Sequence, residues 1–170
     1  MATRNPPAPK KKLTLVSLER SARFHLQRRA LTTAELRRLL ERKAARSLPC
    51  DDAAAWIDDV IARCARSGLI DDTRVAAAKV ASMRAAGKSA RAIAMKLRQR
   101  GVDATTATAA IAGDEGDDLA AAKAYVRKRR LLQRHKLKAL AALYRQGFTF
   151  SVAKRALDQA STAASPSAEE

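Results

Sequence analysis

Side chains capable of covalent or metal chemistry are few in this chain, and their spacing does not gather them. Cys50 and Cys64 are its two cysteines, His25 and His135 its two histidines. None stands at the short intervals of a zinc quartet or a CxxC redox pair, so both thiols are read as reduced and structural. Both imidazoles lack a neighbouring nucleophile or carboxylate pair and are read as structural or surface groups. The doublets Asp51-Asp52, Asp58-Asp59 and Asp71-Asp72 would suit paired-carboxylate or metal chemistry. The first and third, however, fall where helices begin, and a helix N-terminus attracts carboxylates by itself. No Gly-rich phosphate loop is present. The sequence therefore offers no catalytic residue, no metal site and no cofactor, and reads as a non-enzyme.

Its cations say more. Lys and Arg number 34 against 17 Asp and Glu, a formal charge of +17. A compact chain so charged repels itself unless a polyanion or an acidic surface relieves it. The charge is also blocky, since no acid lies between Asp72 and Asp103 or between Asp118 and Asp158. The densest group is Lys123, Arg127, Lys128, Arg129, Arg130, Arg134, Lys136 and Lys138. A solvated face is the plain reading. A contact surface is preferred, because crowded like charges destabilise a helix unless something offsets them. For a second group, Arg91, Lys96, Arg98 and Arg100 with Arg84 and Lys88, contact and ordinary surface weigh evenly. Trp56, Tyr125, Tyr144, Phe148 and Phe150 are read as hydrophobic anchors, too sparse for a dedicated single-strand binder.

These residues are positioned by helices. Aromatics make up 4% and there are 6 Gly, while Ala, Leu and Arg recur, a composition that loses little entropy in helical form. Apolar side chains fall at helical spacing at Leu15, Leu18, Ala22 and Leu26, at Leu36, Leu39, Leu40 and Ala44, and at Ile57, Val60, Ile61 and Cys64. Thr32 or Thr33 and Asp51 or Asp52 are candidate caps for the second and third helices. The three-helix cadence returns after Asp71, with Asp72, Ser89 and Asp103 at helix starts, and again after Asp117, with Asp117 or Asp118 and Thr149. Residues 97–111 align on 143–157, pairing Leu97 with Leu143, Gly101 with Gly147, Val102 with Phe148, Ala107 with Ala153, Ala110 with Ala156 and Ile111 with Leu157. A looser shift pairs Thr32 with Ser89, Leu36 with Ile93, Leu40 with Leu97 and Ala44 with Gly101. The expected fold is all-α, a tandem array of three three-helix repeats forming an elongated, curved molecule. Its parts are a disordered basic tail (1–12), repeats at 13–70, 71–115 and 116–159, and a disordered tail (160–170).

Gly68-Leu69-Ile70-Asp71-Asp72, followed by Arg74 and Ala76-Ala77-Ala78, resembles the turn joining the first and second units of RecX-family proteins. Gly87-Lys88-Ser89-Ala90-Arg91-Ala92-Ile93 with Leu97, Arg100, Gly101 and Val102 is similar to that family's second-unit pattern, Arg100 standing where Lys is usual. The run Arg127–Arg130, the ending Gln146-Gly147-Phe148 with Val152, Ala156 and Leu157, and the front segment from Leu18 to Leu40 also fit. The resemblance covers about residues 15–158. Two departures stand out: Ala44-Ala45-Arg46 replaces the usual Gly ending, and Gln133-Arg134-His135 replaces a commoner Gly-Pro pair. The resemblance implies a non-catalytic regulator that binds the RecA–DNA filament and modulates, mostly inhibits, its recombinase, ATPase and coprotease activities in DNA repair.

The expected partners are the RecA filament and, more weakly and with salt sensitivity, single- or double-stranded DNA. A helical DNA-binding protein or transcriptional regulator acting directly on DNA is the rival reading, and a helical-repeat adaptor for another acidic protein is a third. No apolar run approaches the roughly 18 residues a membrane helix needs, and the opening MATRNPPAPKKKLTLV lacks an h-region and cleavage site. A cytoplasmic monomer without membrane contact is therefore expected.

Overall fold

The computed structural model of the chain describes residues 11–114 and 116–164. Among them are nine α-helices, one short 3-10 turn and no strand, as the composition predicts. In order the helices are α1 (Leu15–Arg28), α2 (Thr33–Ala45), α3 (Ala53–Arg66), α4 (Asp72–Ala85), α5 (Ala90–Arg100), α6 (Ala104–Ala112), α7 (Asp118–Lys128), α8 (Lys136–Arg145) and α9 (Phe150–Ala164); the 3-10 turn, Leu131–Gln133, lies between α7 and α8. None is long and apolar enough to cross a membrane among the described residues. Contacts divide the chain into two compact units between Asp72 and Thr73.

The first unit packs α1, α2 and α3 around Leu18, Leu36, Leu40, Ile57, Val60 and Ile61. Helices of this length are marginal alone, so the buried stripes stabilise them, with roughly 1.5–3 kcal/mol for each large side chain removed from water. Thr14 and Thr32 each close a capping box, with Ser17 and Glu35 respectively. Leu13 is buried and the Lys11 carbonyl accepts from the Leu48 amide at 3.0 Å, so Lys11 and Lys12, expected in the tail, continue the folded chain. Without a glycine after α2, Arg46 ends that helix in a right-handed conformation.

The second unit holds two cores. Ala76, Val80, Ile93, Leu97, Val102 and Ala107 join α4, α5 and α6. Ala122, Val126, Leu131, Leu143, Phe148, Ala156 and neighbours join α7, α8 and α9. Residues paired by the internal alignment occupy matching places. Leu97 and Leu143 are fully buried, Val102 and Phe148 follow glycines with φ of 83° and 92°, and Ala107 and Ala153 both enter cores. Ser89, Asp103 and Asp117 cap α5, α6 and α7 with side-chain oxygens, and Thr149 accepts from the Val152 amide at the start of α9. α9 runs past Gln159 to Ala164, into the segment expected to be a tail; the Ser161 and Thr162 hydroxyls donate to the Asp158 carbonyl within it. Residues 1–10 and 165–170 of the two expected tails lie outside the described residues.

Candidate partner-binding surface

Eight cations singled out from sequence occupy one continuous stretch from α7 to α8. Lys123, Arg127 and Lys128 lie on α7, Arg129 caps it, Arg130 and Arg134 flank the 3-10 turn, and Lys136 and Lys138 open α8. All eight are exposed. None forms an ion pair among the described residues. Arg127 and Lys128 stand in the last turn of α7, where the negative end of the helix dipole offsets some of their repulsion. The Arg129 guanidinium sits 6.0 Å from the Tyr125 ring centre, within reach of a cation–π contact.

Between these helices the backbone makes a tight turn at Arg130, with φ 49° and ψ 45°, the one left-handed non-glycine residue among those described. Leu131, next to it in sequence, is buried in the core that joins α7, α8 and α9. His135 then caps α8, its Nδ1 accepting from the Leu137 amide at 3.4 Å. Extending the internal offset from Ser89 leads to this residue, so a helix cap recurs there in a different side chain.

The second group of cations separates in the structure. Arg91, Lys96 and Arg98 project from α5 into solvent, Lys96 toward the Gln99 side chain at 3.5 Å. Arg100 is half-buried and already engaged in the fold. Arg84 is largely withdrawn from the surface. Its side chain is 12% exposed, with Nε 3.0 Å from Asp114 and Nη1 2.6 Å from Asp118. Nη1 also donates to the Lys88 carbonyl at 3.4 Å. This pairing holds α4 to the start of α7, so an even weighing of Arg84 as a contact residue gives way to a structural role.

The aromatic anchors divide too. Phe148 is fully buried and Tyr125 is packed against Gly87, but Tyr144 is 71% exposed and Phe150 66% exposed. Both had been expected inside. α8 carries Ala139, Ala142 and Leu143 toward the core, and these small and branched side chains fill the space without Tyr144. An open groove of about 380 Å³ lies beside it, with Arg91, Met95 and Arg98 from α5 and Tyr144 and Arg145 from α8 around a floor that includes Phe148. Arg145 and Tyr144 were not singled out as contact residues from sequence. The signal available was the acid-free interval on both sides of them.

Groups that could have suggested catalysis are accounted for locally. Asp72 accepts from the Thr33 amide at 2.8 Å, Asp58 pairs with Arg37, and Asp59 pairs with Arg63. Burial pushes the Cys64 thiol above its ordinary range, the reverse of an activated nucleophile. No cluster of metal-ligating side chains occurs among the described residues.

The chain is similar along most of its length to proteins of one family. It is 35% identical to the regulatory protein RecX of Myxococcus xanthus over 91% of both chains. The chain belongs to the RecX family. It is also 34% identical to the regulatory protein RecX of Agrobacterium fabrum, over 81% of this chain and 79% of that one. The family model described as the second three-helix domain of RecX matches residues 71–111, the span of α4, α5 and α6. In fold the chain resembles the crystal structure of RecX from Lactobacillus salivarius, with a TM-score of 0.68 at 17% identity over 87% of this chain and 97% of that one. A second crystal structure, of a regulatory protein RecX, gives 0.66 at 20% identity over 85% and 71% of the two chains. The all-helical RecX repeat architecture is therefore the fold of this chain.

Proposed function

We propose that this chain is a non-catalytic regulator of the RecA–DNA filament that slows or limits filament activity by lying against it. The observation that carries the reading is the continuous, unpaired cationic surface from Lys123 to Lys138, presented by a RecX-family fold. A filament of protein and DNA offers phosphates and acidic side chains at many points, and an extended cationic face gains long-range attraction to both. Such attraction weakens as salt screens it. Modulation by occupancy needs no reactive constellation, only a surface that competes with filament growth or strand exchange.

The test is the DNA-dependent ATPase of the cognate RecA on single-stranded DNA, titrated with this protein beside a DNA-only binding assay at the same salt. A fall in ATPase well before the DNA is coated supports a filament-directed regulator. Inhibition only at saturation of bare DNA, or none, hands the function to direct DNA binding.

A further inference from the structure

The groove between α5 and the end of α8 has a composition that the filament reading does not use. Its walls come from two helices without a single acidic residue, Ala90–Arg100 and Lys136–Arg145. Arg91 and Arg98 stand two helical turns apart on α5, roughly 10 Å along the axis, and Arg145 faces them from α8. None of the three forms an ion pair among the described residues. Between them, Tyr144 and Met95 are 71% and 54% exposed on the same groove.

The groove is also rigidly built. The Ser89 amide donates to the Gln146 carbonyl at 3.1 Å, and Gly147, with φ 92°, presses its backbone onto α5. A Cβ at Gly147 would lie 2.5 Å from Ser89 Oγ and 2.9 Å from Ala92 Cβ. The two walls therefore keep their spacing.

We propose that this groove binds a short stretch of single-stranded nucleic acid, with a base stacked on Tyr144 and against Met95 and the flanking phosphates held by Arg91, Arg98 and Arg145. Three cations around an exposed aromatic face, on walls that keep their spacing, are what an unstacked strand needs, since every base offers a π-face and every linkage a phosphate. A duplex keeps its bases stacked on one another and has none to give to Tyr144. An acidic protein segment would satisfy the arginines but would leave the ring and Met95 without a flat partner. This assignment is independent of the RecA reading and is measured without RecA.

The experiment uses the full chain and a fluorescein-labelled oligothymidylate, with a blunt duplex of equal length and poly-glutamate as competitors, across a salt series. Tyr144→Ala weakens oligothymidylate binding roughly tenfold and leaves duplex binding unchanged, while Tyr144→Phe retains it. Replacing Arg91, Arg98 and Arg145 together by Gln lowers affinity for the single strand and makes its salt slope shallower by about 2. Circular dichroism confirms that the variants remain helical; Tyr144→Phe and the Arg variants supply the reading if Tyr144→Ala does not fold. Equal binding of oligothymidylate by wild type and Tyr144→Ala would overturn the proposal. So would equal losses for strand and duplex, or displacement by poly-glutamate as effective as that by unlabelled oligothymidylate at matched charge.

Discussion

The carboxylate of Asp118, the first residue of α7, accepts the backbone amide of Ala90, the first residue of α5, at 2.8 Å. The same oxygen takes Nη1 of the largely buried Arg84 at 2.6 Å. One side chain thus satisfies an otherwise free helix-end amide and a cation that has little access to water. Asp118→Ala is expected to cost about 2 kcal/mol, because it strands the Ala90 amide and leaves Arg84 with Asp114 and the long bond to the Lys88 carbonyl. Asp118→Asn retains an acceptor without the charge and costs less. Urea denaturation followed by circular dichroism measures both; equal stability of wild type and Asp118→Ala would remove the network from the forces holding the second unit.

Two glycines press against neighbours in left-handed backbone. A Cβ on Gly87, at φ 75°, would meet Tyr125 Cδ2 at 2.6 Å, and one on Gly147 would meet Ser89 Oγ at 2.5 Å. Alanine at either position must bear both the conformational penalty and the overlap, about 2–4 kcal/mol in all. Gly68 has a similar φ with open space around it, so Gly68→Ala should cost only the conformational part. Thermal denaturation of the three variants tests the ordering.

Arg130 holds the conformation those glycines hold, but with a side chain. Arg130→Gly should raise stability by up to about 1 kcal/mol, the relieved strain being partly offset by the greater freedom of glycine in the unfolded chain. The same change removes one cation from the candidate surface. A variant that is more stable yet binds the RecA filament less tightly would separate the two contributions of this residue.

Replacing Arg127, Lys128, Arg129 and Arg130 together by Gln is expected to weaken filament binding and flatten its salt dependence. Helical content should persist, with a stability loss within about 1 kcal/mol from the lost dipole interactions of Arg127 and Lys128. Unfolding of this variant would mean that the cluster serves the fold and not a partner.

Hydrogen bonds from the Thr106 side chain and amide hold the Asp103 carboxyl below its usual range at the start of α6. A carboxyl depressed in the folded state contributes stability above its unfolded pKa and loses it as the pH falls through the folded value. The stability difference between wild type and Asp103→Ala should therefore be constant near neutrality and shrink as the pH drops below about 4. Acid titrations of the two proteins, monitored by helicity, check the direction.

The repeats were legible because helical burial leaves a periodic mark. Leu97 and Leu143, or Thr32 and Ser89, are paired by sequence offset and fill the same roles in space. Arg84 was not legible, since its carboxylates lie 30 and 34 residues further on and no local pattern announces them. Tyr144 was misread for a different reason. In an Ala-rich helix the apolar stripe can be completed by small side chains, so an aromatic residue does not by itself mark the buried face. The density of cations from Lys123 to Lys138 was legible because charge density, unlike burial, is a property of the sequence itself.

The acid-free walls of the α5–α8 groove carry neither histidine nor carboxylate, and its three anchoring cations are all arginine. Each guanidinium presents a planar fork of N–H donors that can meet two oxygens at once, whereas a lysine ammonium is a point charge on a flexible stem. Lysine at any of the three positions would therefore keep the charge of the groove and lose its geometry.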